Sequence, residues 1–245
     1  MNTLTNGQIF LYETLGTATL LLLGCGVVAC AILRDSKGFG GGWLLINFGW
    51  GLGVYMGVYV AFPTGAHLNP AVTISQLMVG NITGGQAIFY FLGEFVGAFI
   101  GAVLAWVAYK KHFDVEEDAG AKLAVFSTGP AIRNPLWNMV TEIIATVMLT
   151  AGILAITNAG NKGILVSGLA TLLVAFLVVG IGLSLGGPTG YAINPARDLG
   201  PRIMHAILPI PGKGPSDWGY SWIPVVGPLI GGVIGGLFYY YAWPS

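Results

Sequence analysis

Asn-Pro-Ala occurs twice, as Asn69-Pro70-Ala71 and Asn194-Pro195-Ala196, and each copy opens an apolar segment too short to cross a bilayer. An Asn side chain can cap the free N–H groups of a helix start, and Pro in the first helical position has no N–H to satisfy. The flanks match too: Thr64-Gly65-Ala66-His67-Leu68 precedes the first copy and Thr189-Gly190-Tyr191-Ala192-Ile193 the second. Asn134-Pro135 lacks the Ala and the Gly-containing flank, and reads only as a helix cap. Two half-helices meeting inside a membrane would make a pore. Irregular backbone at membrane depth is tolerated where it lines a cavity or is buried in protein. The carbonyls of Gly65, Ala66, His67 and Leu68, and of Gly190, Tyr191, Ala192 and Ile193, are therefore candidate rows of acceptors, with the Asn69 and Asn194 amides as donors at mid-depth. Many weak partners suit permeation, because tight binding would slow exit.

Ionisable residues inside apolar segments are costly and mark functional or braced positions. Glu13 with Thr17 matches Glu142 with Thr146 at the same spacing, so the internal repeat extends beyond the short segments; Glu94 and Arg197 are also embedded. An Arg at a membrane-embedded helix start needs a wet or paired site, whereas Trp50 taken alone reads as a packing or interfacial aromatic. His67 is read as contributing its carbonyl rather than its ring, since no second ligand at helical spacing supports a metal. Asp198 and Arg202 read as loop support, and His112 and His205 carry no signal. Cys25 and Cys30 share one apolar span and read as buried thiols rather than a disulfide framework. With no nucleophile–base pair and no cofactor motif, neither an enzyme nor a cofactor is expected.

The elements that must hold these residues follow from composition. With 55% hydrophobic residues, 8% charged residues and a mean hydropathy of +0.77, the chain is an integral membrane protein. A net charge of zero without a dense basic patch argues against nucleic-acid binding. Long apolar runs predict six spans, about Ile9 to Leu33, Trp43 to Phe62, Ala87 to Tyr109, Leu136 to Thr157, Ile164 to Leu185 and Trp222 to Trp243. The first span is read as retained rather than as a signal peptide. The short segments run from about Asn69 to Val79 and Asn194 to Leu208. Gly93, Gly97 and Gly101 in span three and Gly227, Gly231 and Gly235 in span six mark faces for close helix approach. Three spans plus a half-helix, twice, force the second copy to enter from the opposite side. The predicted fold is an all-α membrane protein of six transmembrane helices plus two re-entrant half-helices in an inverted repeat. It is one channel domain over 1–245, with repeats at 1–110 and 136–245 and a connection at 111–135. Asp114, Glu116, Glu117 and Asp118 in that connection read as a solvated loop.

On its paired Asn-Pro-Ala segments, Glu-bearing first helices and Gly-rich third spans, the chain resembles the aquaporin superfamily over essentially its whole length. Asp198 after Asn194-Pro195-Ala196-Arg197, Arg202, and Pro224 followed by Val225 make it look like the glycerol-facilitator branch. That resemblance implies a selectivity region at Trp50, Gly182, Tyr191 and Arg197, where Gly182 would leave width and the Tyr191 hydroxyl would narrow the opening or add a polar contact. It implies that Glu13 and Glu142 brace the loops, against the alternative of protonated, packed side chains. At Glu94 the family commonly carries Gln, which suggests a buried carboxyl that can stand neutral. The implied function is passive passage of glycerol, other small neutral solutes and water, by a homotetramer in the lipid of a bacterial plasma membrane. The alternative is a secondary transporter with a midplane site. Cytoplasmic termini would leave only Lys162 inside, with Arg34, Lys37, Lys110, Lys111 and Lys213 among the basic residues outside, against the positive-inside tendency. The family orientation is preferred because that tendency is statistical.

Overall fold

A computed structural model describes residues 4–158 and 168–243, which are helical with connecting turns and contain no strand. The first helix, α1 (Asn6–Ile32), starts before the predicted Ile9 because Thr5 and Gln8 close a reciprocal capping box. It is followed by α2 (Gly42–Val60), a 3-10 turn at Phe62–Thr64 and the short α3 (Pro70–Met78). Next comes α4 (Gly84–Ala108), begun early by a second capping box between Thr83 and Gln86. Beyond it run α5 (Lys110–Val115), α6 (Ala119–Phe126), α7 (Pro135–Ile156), α8 (Leu169–Leu185), the short α9 (Pro195–Ile207) and α10 (Ile223–Ala242). Among the described residues, α1, α2, α4, α7 and α10 are long and apolar enough to cross a membrane. Helix α8 is described over 17 residues. The start of its predicted span, residues 164–167, lies outside the described residues, as does Lys162.

Glycines let the Glu-bearing helices sit backbone to backbone against their partners. A Cβ on Gly93, Gly97 or Gly101 would lie 2.7, 2.4 or 2.5 Å from the carbonyl oxygens of Phe10, Thr14 and Ala18 on α1. On α10, a Cβ on Gly227 would meet Glu142 Cβ at 2.8 Å, one on Gly231 would meet Thr146 Cβ at 2.6 Å, and one on Gly235 would meet Thr150 Oγ1 at 2.0 Å. Both predicted close-approach faces are thus occupied inside the subunit. The short helices then cross between halves: a Cβ on Gly232 of α10 would strike Ala71 O of α3 at 2.4 Å, and one on Gly200 of α9 would strike Ala98 Cβ of α4 at 2.7 Å. Each half holds the other's half-helix.

The connection between halves departs from the expected solvated loop. It carries α5 and α6, and Asp118 caps α6 by accepting from Gly120 N. Glu116 is buried, and its carboxylate accepts from the backbone N–H groups of Asp118 and Arg34 at 2.8 Å each and of Glu117 at 2.9 Å. Those donors, Asp118 first, hold the Glu116 carboxyl below its ordinary range. Asp114 pairs with Lys110, while Glu117 is exposed and reaches Arg34 at 3.4 Å. A buried, fully used carboxylate ties this connection to the end of α1. Both cysteines are free thiols; Cys25 is buried as expected, whereas Cys30 is half-buried.

Candidate functional site

The two segments leading into α3 and α9 carry the same backbone signature. Gly65, Ala66 and Leu68 have φ of 83, 54 and 56°, and Gly190, Tyr191 and Ile193 have φ of 81, 39 and 44°. Left-handed backbone is natural for Gly but costs an L-residue roughly 1–2 kcal/mol, and for β-branched Ile193 it is a true outlier. Buried carboxylates sustain it. Glu13 accepts from His67 N at 3.1 Å, Leu68 N at 2.8 Å and Thr64 Oγ1 at 2.6 Å. Glu142 accepts from Ala192 N at 3.0 Å and Ile193 N at 2.9 Å. With these N–H groups turned to the carboxylates, alternate carbonyls are free to face the other way. Thr17 and Thr146 do not share this role: Thr146 bonds back to Glu142 O at 2.7 Å, and Thr17 Oγ1 has no partner among the described residues.

Asn69 and Asn194 each do two jobs. As caps, Asn69 Oδ1 accepts from Ala71 N and Asn194 Oδ1 from Ala196 N and Arg197 N, with Pro70 and Pro195 in the first helical positions. The same amides cross the molecular centre, where Asn69 Nδ2 donates to Ile193 O and Asn194 Nδ2 to Leu68 O, both at 2.8 Å. The two half-helix starts therefore touch. Leu68 and Ile193 carbonyls, expected only to line a cavity, are also struts between the loops.

A narrow central cavity of about 70 Å³ runs past this junction, lined by the backbone from Ala66 to Asn69 and from Tyr191 to Asn194 together with Trp50 and Arg197. Apolar side chains, among them Leu20, Val54, Leu149 and Val178, form its opposite wall. On the N-terminal side it shares Val58, Ala66, His67, Val72, Ile153 and Val174 with a wider cavity of about 540 Å³ that also takes in Gly65. Gly190 borders a third cavity, of about 360 Å³, beside Trp43, Gly186 and Gly187. The expected acceptor rows are thus distributed along these cavities.

At the neck, the Arg197 guanidinium carbon lies 3.8 Å from the centroid of Trp50. Gly24 makes room for that indole, because a Cβ there would fall 2.1 Å from a ring carbon. Arg197 Nη1 makes one long bond, 3.5 Å, to Phe126 O, and among the described residues its guanidinium pairs with no carboxylate. Arg197 also lines the central cavity. Tyr191 closes the neck edge-on to Trp43, with ring centroids 5.7 Å apart. A Cβ on Gly182 would land 1.8 Å from Asn47 Oδ1 and 2.7 Å from Tyr191 Cζ, so the space beside it is taken up by those side chains. The Tyr191 hydroxyl is buried and has no hydrogen-bond partner among the described residues. Asn47 was not singled out in the sequence, although a polar residue inside an apolar span was a usable signal; Nδ2 donates to Trp43 O at 2.7 Å.

Behind the neck, fully buried Arg202 donates to Asp198 Oδ1 from Nε at 2.9 Å and Nη2 at 2.8 Å, and also to Ser216 O and Thr128 O. Asp198 Oδ2 accepts from Thr128 N and Oγ1, both at 2.7 Å. This pair clamps the Ser127–Gly129 turn onto α9, in keeping with loop support. His205 bonds Ser216 Oγ and His112 bonds Arg34 O. No cluster of three metal-ligating side chains exists among the described residues.

Two half-helices meeting tip to tip beside a chain of cavities, among long apolar helices, define an aquaporin-like membrane channel. The chain belongs to the major intrinsic protein family, whose profile matches residues 1–239. It is 53% identical over 233 residues to a probable glycerol uptake facilitator protein of Thermotoga maritima, covering 95% of this chain and 98% of that protein. It is 51% identical to the glycerol uptake facilitator protein of Bacillus subtilis, over 93% of this chain and 82% of that one. The solved aquaglyceroporin of Plasmodium falciparum superposes with a TM-score of 0.85 at 30% identity, covering 97% of both chains.

Proposed function

We propose that this protein is a passive channel for glycerol, other small neutral solutes and water, and that it excludes ions and protons. The observation that carries this reading is the two-faced neck, in which the Arg197 guanidinium and the Trp50 and Tyr191 rings bound one narrow cavity. Glycerol carries hydroxyls along one edge and carbons along the other. Its carbons would slide over Trp50 and Tyr191 while Arg197 donates to adjacent hydroxyls, its fork suiting paired oxygens. Carbonyls of the two loops would then accept, and the spare N–H of each central Asn would donate. Facing half-helix starts carry about +0.5 charge each, and Arg197 adds a full charge, which together oppose cations and break a proton-conducting water chain. Relatives named as glycerol uptake facilitators support glycerol as the solute.

Trp50, Tyr191 and Arg197 form the selectivity region in this reading, and Gly182 shapes it by admitting the Tyr191 ring. The repeats span 1–110 and 136–245. The assembly is a homotetramer in a bacterial plasma membrane with one pore per subunit. Proteoliposomes given an osmotic step test this: glycerol flux linear in concentration, with weak temperature dependence, is expected. Accumulation driven by an ion gradient would instead make the protein a secondary transporter and overturn the channel. A solute panel of glycerol, water, dihydroxyacetone, urea, hydrogen peroxide and lactic acid then ranks the permeants.

A further inference from the structure

A polar chain leads from the interior of α4 to the cavity wall. Glu94 is fully buried, and its Oε1 accepts from Thr73 Oγ1 at 2.6 Å. Thr73 Oγ1 lies 2.9 Å from His67 Nδ1, and the ring of His67 stacks on Tyr90 with centroids 4.0 Å apart. Tyr90 is itself pinned, its hydroxyl donating to Thr64 O at 2.6 Å. His67 borders both the central cavity and the wider one on the N-terminal side. From the sequence its carbonyl is expected to contribute more than its ring.

A hydroxyl has one proton to give. With Glu94 Oε1 accepting the Thr73 proton, the 2.9 Å contact to His67 is made with Nδ1 as donor and Thr73 Oγ1 as acceptor, whereas a proton on Glu94 Oε1 would run the chain the other way and leave the His67 proton on Nε2. With Nδ1 used in this way and one ring face covered by Tyr90, the Nε2 edge is the polar part left to the cavities. We infer that Thr73 and Glu94 are positioning residues that fix His67 as its Nδ1–H tautomer, so that Nε2 presents a lone pair to permeant hydroxyl groups. Which nitrogen of a pore histidine carries the proton is set by the partner of the other nitrogen. The acceptor row of the first loop thereby gains one side-chain member, selecting for solutes that can donate as they pass. This deepens the channel reading and rests on it for its consequence, though not for the tautomer itself.

Nitrogen-15 NMR of histidine-labelled protein in liposomes reads the tautomer directly. Ala66–His67 is the only Ala–His pair in the chain, so carbonyl-13C alanine with 15N histidine identifies the His67 resonance. The native protein is expected to show a protonated Nδ1 and a bare Nε2. Thr73→Ser and Glu94→Gln, which keep the hydroxyl and the acceptor, should retain that pattern. Thr73→Val should move the proton to Nε2 and lower glycerol flux roughly threefold to tenfold, the loss of one hydrogen-bond acceptor along the path. A native spectrum with Nε2 protonated overturns the inference, as does a Thr73→Val variant whose flux falls while its tautomer is unchanged. Should Thr73→Val fail to fold, the native and Glu94→Gln spectra decide. A protein showing the expected tautomer but passing no glycerol would refute the channel reading and leave the tautomer standing.

Discussion

Asn69 and Asn194 are reciprocal: each caps its own half-helix and donates, at 2.8 Å, to the carbonyl just before the other's Asn-Pro-Ala. The junction of the two halves is thus made by the same side chains that start the helices. A cap lost to Ala costs about 1 kcal/mol, and a buried carbonyl deprived of its donor a further ~1 kcal/mol or more. Asn194→Ala should therefore lower unfolding stability in detergent by about 2 kcal/mol and slow glycerol flux. Asn69→Ala should do the same, since it removes the mirror-image pair; unequal effects by more than a factor of ten in flux would refute the equivalence of the two struts.

Among the described residues Arg197 supplies the one cationic side chain lining the central cavity, so Arg197→Ala should raise cation or proton leak while leaving neutral-solute flux intact or higher. Electrical recording in planar bilayers checks this. Unchanged ion exclusion would assign that property to the half-helix ends alone.

Gly182 is expected to behave unlike a simple width control. Its Cβ would arrive 1.8 Å from Asn47 Oδ1 and 2.7 Å from Tyr191 Cζ, so Gly182→Ala should press Tyr191 into the lumen and cut glycerol flux more than water flux. Adding Asn47→Ala frees the space, and the double variant should recover part of the loss, because residues in contact couple. Additive losses would count against this geometry. Tyr191→Phe, which removes only a buried hydroxyl that makes no hydrogen bond among the described residues, should leave polyol selectivity unchanged.

Glu142 holds the loop that contains left-handed Tyr191 and Ile193 by accepting from Ala192 N and Ile193 N. Glu142→Leu leaves both donors buried and unpaired, at a cost of about 2–6 kcal/mol. Loss of folded protein is expected, measured as recovery of monodisperse material after extraction. A well-folded, active Glu142→Leu protein would show that packing alone maintains the loop.

Much of this was legible in the chain because the membrane narrows the choices. Backbone polar groups must be satisfied internally, so long apolar runs become helices, and a short run opened by Asn-Pro becomes a half-helix. Inversion then follows from counting spans, and the pairing of Glu13 with Glu142 and of Asn69 with Asn194 from spacing along one strand of sequence. Helix starts were less legible at α1 and α4, where Thr5–Gln8 and Thr83–Gln86 boxes lie in polar sequence just outside the apolar runs.

What only the tertiary structure decided concerns where side chains go once helices pack. The glycine rows of α4 and α10 meet α1 and α7 within the subunit, a partner choice that periodicity does not encode. The space beside Gly182 is taken by Asn47 and Tyr191, residues distant in sequence. The His67 ring is held between a contact to Thr73 and the stacked ring of Tyr90, partners that lie at unrelated spacings in the sequence. Sequence specifies which atoms are available and how a membrane forces the backbone to pair. Contact between distant segments fixes which of those atoms face the cavity and which are consumed in holding the fold, because that depends on the three-dimensional filling of space.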